Sequence, residues 1–299
     1  MKTLLVSTIP LFGNYRKQDF LGFHRRDSQM IAERVGDNSL EKGIIWKDYP
    51  ACLTLKFRPK SVKMELAIDG KRPPEDLAAL IIMVKHMLGL AQNTAEFESV
   101  FNDHPHIGRL IACNPGLRVP LSATPFEALS WAIIGQQISV SAAISIRRRF
   151  ILAMGIQHSS GLWCHPTPAR IVQFNEDILR AAGFSQAKTK TLLALSQAIV
   201  QNDLDLDIPV NTESIERLGA QLLKIRGIGP WTINYALLRG FGWLDGSLHG
   251  DVAVRNNLRA LLGTDKITEQ ETRQWLAHFS PWRALVAVHL WAMSLSVHE

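Results

Sequence analysis

Hydrophobic and polar positions change period once along this 299-residue chain. In "ACLTLKFR" (51–58) and "VKMELAI" (62–68) apolar and polar residues alternate, which predicts two strands joined at "PKS" as an antiparallel hairpin. "DG" at 69–70 adds a turn, and "MKTLLVSTIP", closed by Pro10, reads as an opening strand. Between them, "QDFLGFHRRDSQMIAERV" has a spacing that fits either period. From "RPPEDLAALIIMVKHMLGL" the period becomes helical, and Pro-Pro-Glu-Asp reads as a helix start. Helices are predicted near 75–89, 94–101, 125–136, 139–153, 185–200, 212–224, 230–239, 251–262, 268–278 and 282–296, parted by "NPG", "HPTP", "LDIPVN" and "GWLDGS". The pattern predicts an α+β chain, with a β-rich antiparallel domain over 1–72 and a helical domain over 73–299.

Composition adds bounds. Apolar residues make up 46% and charged residues 20%, a soluble globular balance at about two-domain length. No apolar run reaches membrane-spanning length, and the N-terminal run lacks a small-residue cleavage site, so a cytoplasmic protein is expected. Cys52, Cys113 and Cys164 stand far apart with no CxxC, which argues against a zinc site, an iron–sulfur cluster or a disulfide scaffold. The net charge of +6 is all N-terminal: residues 1–72 carry 14 Lys/Arg against 8 Asp/Glu, and 73–299 carry 19 against 19. Such a balance permits a polyanionic partner without requiring one.

The stretch "LLKIRGIGPWTINYALLRG" (222–240) interrupts a helical pattern with Gly-Ile-Gly and restarts it at Pro230. Proline suits a first helical position, where its missing N–H is not needed. Glycines leave the backbone bare, so the amides of this corner and of the next helix's first turn can face an anion such as a nucleic-acid phosphate, with Lys224 and Arg226 beside it. A plain connection between two helices gives the same pattern. About twenty residues on, "DGSLHGDVAVRNNLRALLG" sets Asp251 just before a helix. Asp is a good N-cap. The same position keeps a carboxylate ionised, able to offset a cationic transition state or to orient a water.

The helix, Gly-Ile-Gly corner and helix, followed by Gly-Asp and a further helix, resemble the helix-hairpin-helix DNA glycosylase superfamily. Within it the chain is most similar to the 3-methyladenine DNA glycosylase II family, which removes alkylated bases. "PGLRVP" and "FEALSWAIIGQQISVSAA" (126–143) resemble that family's stretch leading through its DNA-wedge loop, "SPWRALVAVHLW" (280–291) its final helix, and "DFLGF" (19–23) the segment that reaches the pocket from the sheet domain. The resemblance implies an N-terminal antiparallel sheet domain and an all-α glycosylase domain of two helical subdomains with the active-site cleft between them.

By this resemblance Asp251 is the catalytic carboxylate. Phe23, Trp231, Tyr235 and Trp291 line an aromatic base pocket, where an electron-poor or cationic base would stack. Core packing is the ordinary alternative for each ring. Gly227, Ile228 and Gly229, with Lys224 and Arg226, are the implied DNA-binding corner. Trp231 stands where bifunctional relatives place a nucleophilic lysine, so base release by water without strand cleavage is expected. Gln137 stands at the wedge position, where the family's best-known enzymes use a bulky aliphatic side chain. In "HGD", His249 departs from an acidic pair seen in some relatives, and Val252 and Ala253 imply a roomy pocket. No cofactor is expected to be required. The resemblance also implies a structural monovalent or divalent cation at the hairpin, on the backbone carbonyls of Leu223, Ile225 and Ile228. The expected partner is double-stranded DNA with damaged bases, met by a monomer. A glycosylase for oxidised or deaminated bases and a non-catalytic damage sensor both stay open.

Overall fold

The computed structural model describes residues 3–70 and 76–295. The expected boundary at 72/73, the helix start at 75 and the end of the last helix at 296 lie outside the described residues. The chain opens with β1 (Thr3–Pro10), α1 (Lys17–His24), β2 (Glu33–Val35), β3 (Ser39–Trp46), β4 (Tyr49–Arg58) and β5 (Ser61–Ile68). Then come α2 (Asp76–Met87), α3 (Thr94–Phe101), α4 (Ile107–Cys113), α5 (Pro125–Gly135), α6 (Val140–Met154), α7 (Pro168–Ile171), α8 (Glu176–Ala181) and α9 (Gln186–Val200). The last group is α10 (Thr212–Leu223), α11 (Pro230–Ala236) with a wider π turn over Leu237–Phe241, α12 (Val252–Leu262), α13 (Glu269–Ala277) and α14 (Arg283–Leu295). The α+β class expected from the period change is the observed one.

The five strands form one antiparallel sheet in the order β1-β5-β4-β3-β2. The hairpin read from alternation is β4–β5, with Arg58 opposite Ser61 across Pro59-Lys60. Leu53, Leu55 and Phe57 alternate inward with Val62, Met64 and Leu66, and α1 (Phe20, Leu21) and α2 (Leu80, Val84, Met87) complete that core. Each such side chain removed from water stabilises the fold by about 1.5–3 kcal/mol. The ambiguous stretch resolves into α1 and β2. Strand β3 escaped the pattern because it buries a charge, Lys42, where an apolar residue was expected. Helices α4, α7 and α8 have 7, 4 and 6 residues, too few to display a 3.6-residue period.

Two helical cores follow. One gathers α5, α6, α9, α10 and α11 around Phe126, Phe150, Leu192, Leu218 and Ile233. The other gathers α3, α4, α12, α13 and α14 around Phe97, Leu110, Leu258, Leu276 and Leu285. The π turn straddles them, since Leu237 enters the first core and Leu238 the second. Helix α11 therefore runs along the seam, with one end held by both.

A buried charge cluster joins the sheet to the helices. Lys42 on β3 donates to Glu33 on β2 (2.6 Å) and to Glu127 on α5 (2.7 Å), and Arg147 on α6 donates to both carboxylates (2.6 and 3.1 Å). Burial alone would raise the Glu33 carboxyl, but the Arg147 and Lys42 charges outweigh it and hold it well below the usual range. Among the described residues no helix is long and apolar enough to cross a membrane, and no cluster of three His, Cys, Asp or Glu could hold a metal.

Candidate active site

Asp251 is the N-cap of α12, and its Oδ1 accepts the Val254 amide at 3.0 Å. The cap role and the carboxylate role thus coincide in one side chain. Two indoles complete its surroundings. Trp231, at the second position of α11, donates Nε1–H to Oδ2 at 2.9 Å, and Trp291 on α14 donates to Oδ1 at 3.1 Å. Three N–H donors from three helices therefore fix one half-buried carboxylate. Such donors set its direction.

Tyr235 lies one turn beyond Trp231 on α11. Its ring centroid is 5.4 Å from that of Trp231 and 6.2 Å from that of Trp291, so the three rings and Asp251 form one wall. The i, i+4 spacing put Trp231 and Tyr235 on one face, whereas Trp291 arrives from 40 residues beyond Asp251. Phe23, at the end of α1, lines a narrow recess shared with Tyr235. Its ring carries two guanidinium groups, Arg26 at 4.0 Å and Arg239 at 4.8 Å from the centroid. Arg26 also covers Trp131 at 4.7 Å. Arg26, Arg239 and Trp131 were not read as site residues. Only the fold brings β-domain, α5 and α11 side chains together.

The open side of the site is a cleft of about 910 Å³. Its lips are the loop at Gln136–Gln137, the corner at Gly227 and Gly229, and the start of α12 at Asp251, Val252 and Ala253. Gln137 is exposed there, with a left-handed backbone (φ +54°). The preceding residue anchors it: Gln136 Nε2 donates to the Gly227 carbonyl and to Thr232 Oγ1, both at 2.9 Å. Helix α9 braces both lips. Lys188 Nζ donates to the Ile134 and Gln136 carbonyls at 2.8 Å each, and Thr191 Oγ1 donates to the Arg226 carbonyl at 2.9 Å. Gln136, Lys188 and Thr191 had no sequence signal, because these acceptors, backbone carbonyls and the Thr232 hydroxyl, lie far away in the chain.

The corner has the geometry its glycines suggested. Gly227 takes φ +94°, and a Cβ there would overlap Thr191 Oγ1, so only glycine fits. Gly229 caps α11 without a side-chain hydrogen bond, unlike Asn211, Ser185 and Asp251 at α10, α9 and α12. The first intrahelical bond of α11 is from Ile233 N–H to the Gly229 carbonyl, so the amides of Trp231 and Thr232 precede the ladder. Lys224 and Arg226 are exposed beside it, and Ile228 is buried beneath it. Leu223 ends α10, and the Ile225 carbonyl accepts the Ile228 amide at 3.0 Å. A carbonyl has two lone pairs, so this bond leaves Ile225 able to bind a cation as well. His249 faces away from this wall, bonded to Ser247 (2.9 Å) and lying 3.7 Å from Glu269.

Comparison with known proteins follows this architecture. Residues 9–124 match the AlkA N-terminal domain, and residues 130–281 match the HhH-GPD superfamily base excision DNA repair proteins. DNA-3-methyladenine glycosylase 2 of Escherichia coli K12 is 30% identical over 62% of this chain and 63% of its own length, so the chain spans less than two thirds of that relative. A 3-methyladenine DNA glycosylase structure from Archaeoglobus fulgidus superposes with a TM-score of 0.78 at 18% identity, over 96% of this chain and 97% of that one. A Schizosaccharomyces pombe 3-methyladenine DNA glycosylase, solved with abasic DNA, gives 0.53 at 29% identity, over 62% of this chain and 90% of its own. Taken with the carboxylate, the glycine corner and the sheet domain, these matches establish that the chain belongs to the HhH-GPD superfamily of base excision DNA repair proteins.

Proposed function

We propose that this protein is a monofunctional DNA glycosylase that releases alkylated purines such as 3-methyladenine from double-stranded DNA by water attack. The observation that carries this reading is Asp251: a carboxylate fixed by two indoles and a helix amide at the lip of a cleft of about 910 Å³, room enough for an extruded nucleotide. A plain N-cap needs only the Val254 amide, and the two added indole donors go beyond capping.

The duplex backbone meets the open amides of α11 at the Gly-Ile-Gly corner, with Lys224 and Arg226 supplying positive charge. Gln137 fills the gap left when the damaged nucleotide leaves the stack. The base stacks among Trp231, Tyr235, Trp291 and Phe23. The glycosidic C1′–N bond then breaks with its electron pair leaving on the base. Asp251 offsets the positive charge growing on the sugar, and water forms the new bond to C1′ and loses a proton. Trp231 offers no amine, which supports base release without an imine intermediate or strand cleavage. No redox or organic cofactor enters this scheme. The carbonyls of Leu223, Ile225 and Ile228 suit a structural monovalent or divalent cation that would stiffen the corner.

Incubation with methylated DNA, followed by chromatography of the released bases, tests the reading. Free 3-methyladenine is the expected product, and DNA recovered with its glycosidic bonds intact would refute it. Borohydride should trap no covalent protein–DNA adduct, whereas a trapped adduct would restore lyase chemistry.

A further inference from the structure

Gln137 and Ile138 carry the chain across the gap between α5 and α6, and the chain is fastened on both sides of them. After them, Ser139 caps α6: its Oγ accepts the Ala142 amide at 3.2 Å and its carbonyl accepts the Ala143 amide at 3.0 Å. Before them, Gln136 follows the last turn of α5 and reaches over to the glycine corner. Its side-chain amide donates to the Gly227 carbonyl and to Thr232 Oγ1, each at 2.9 Å. Lys188 holds the same point from behind, donating to the Ile134 and Gln136 carbonyls at 2.8 Å each. The Gln136 carbonyl belongs to the planar peptide unit that enters Gln137, so Lys188 sets the plane from which that residue departs.

The place of Lys188 is informative. It is the third residue of α9, where the helix dipole disfavours a cation. Its charge is turned instead to the carbonyl end of α5, where a dipole favours one. Gln137 is left-handed (φ +54°), a conformation that is costly for a residue other than glycine and persists where the surroundings over-determine it. The fastenings at Gln136 and Ser139 are those surroundings. A plain link between α5 and α6 needs no bonds to residues 91 and 96 positions away.

We infer that Gln136 and Lys188 are positioning residues that lock the Gln137 loop to the glycine corner, and that this lock serves extrusion of a base-paired lesion rather than cleavage of its glycosidic bond. This rests on the glycosylase reading above and deepens it. Extrusion needs the strand held while a side chain enters the space that the base leaves. The holder is the corner between α10 and α11, and the entering side chain is on the loop between α5 and α6. The lock fixes their separation before DNA arrives, so Gln137 enters a duplex whose backbone is already gripped. Without it the loop must be ordered during insertion, which costs conformational entropy. A lesion with no partner base leaves the stack at a smaller cost, so its release depends less on the lock. Asp251 is held by Trp231, Trp291 and the Val254 amide, none of them on this loop, so bond breaking is served by a separate set of contacts.

The test measures single-turnover release of 7-methylguanine from two duplexes, one with cytosine and one with an abasic-site analogue opposite the lesion. Wild type, Gln136→Ala and Lys188→Met are compared, with uncatalysed loss subtracted. In both variants the ratio of the paired to the unpaired rate should fall about tenfold, the factor that about 1.4 kcal/mol carries. Gln137→Ala supplies a second arm. In its background, adding Gln136→Ala should lower the paired rate by no more than about twofold, because the lock then has no side chain to position. A wild-type ratio in either variant overturns the role given to that residue, since a purely structural role slows both duplexes together. A full tenfold further loss in the Gln137→Ala background overturns the inference as a whole. Either result leaves the proposed function standing. Release from neither duplex by wild type removes the glycosylase reading and the inference with it.

Discussion

Replacing Asp251 by Asn separates capping from chemistry. The cheapest arrangement keeps the side-chain oxygen at Oδ1, where it still accepts the Val254 amide and the Trp291 indole. The new NH2 then faces Trp231 Nε1–H, at a position where 2.9 Å now separates donor from acceptor. One half-buried donor is left without a partner, which costs about 1–3 kcal/mol. At roughly 2–4 °C per kcal/mol for a protein of this size, Tm falls by several degrees. In the proposed mechanism the chemical loss is larger, because the group that opposes the sugar's positive charge becomes neutral. Removing one preorganised electrostatic group costs roughly 10²–10³ in rate, about 2.7–4 kcal/mol. Single-turnover base release, measured with DNA saturated by enzyme, reads this number directly. Binding to abasic-site DNA, followed by fluorescence anisotropy, reports whether the cleft survives. The expected result is at least a hundredfold slower release with abasic-site affinity within a few-fold of wild type. Release within about tenfold of wild type would refute the reasoning and leave Asp251 as a helix cap.

Other outcomes follow from the same structure. Gly229→Ala should fold normally, since a Cβ there meets nothing within 4 Å, yet weaken DNA binding by crowding the bare corner, whereas Gly227→Ala should lower Tm as well because its Cβ overlaps Thr191. Equal Tm losses for the two variants would contradict this account. Lys42→Ala leaves Glu33 and Glu127 sharing Arg147 alone, and should cost about 3–5 kcal/mol in urea unfolding, the usual loss on breaking a buried pair. Burial holds His24 down at about 3, helped by the Lys42 charge, and His165 at about 4, against an ordinary 6.5. Both are neutral in the fold while the unfolded chain takes up protons, so their contribution is complete above pH 6.5 and is lost as pH falls toward about 4 for His165 and about 3 for His24. Each adds a slope of up to about 1.4 kcal/mol per pH unit in that window, which His24→Gln should reduce by one proton's worth in pH-dependent urea melts.

Much of this protein was legible in its residues because the deciding physics is local. Alternation in 51–58 and 62–68 dictates a hairpin, and the 3.6-residue period after residue 76 dictates helices. Gly227, Gly229 and Pro230 each answer a backbone requirement visible in a stretch of four residues, and Asp251 stands where a helix N-terminus wants a carboxylate. Trp231 and Tyr235 are four apart, so their shared face could be read directly. The tertiary structure alone decided what lies opposite these features. Lys42 looked like a polar position in an unassigned stretch, and only the approach of α5 and α6 makes it a buried clamp. Gln136, Lys188 and Thr191 hold the cleft's lips by bonding to carbonyls 35 to 91 residues away or to a hydroxyl 96 residues away, and a carbonyl leaves no mark in a sequence. Arg26 and Arg239 are 213 positions apart in the numbering, yet Phe23 carries both of their charges. Local periodicity and backbone chemistry act over a few residues. The charge inside a recess is a sum over elements that meet only when the chain is folded.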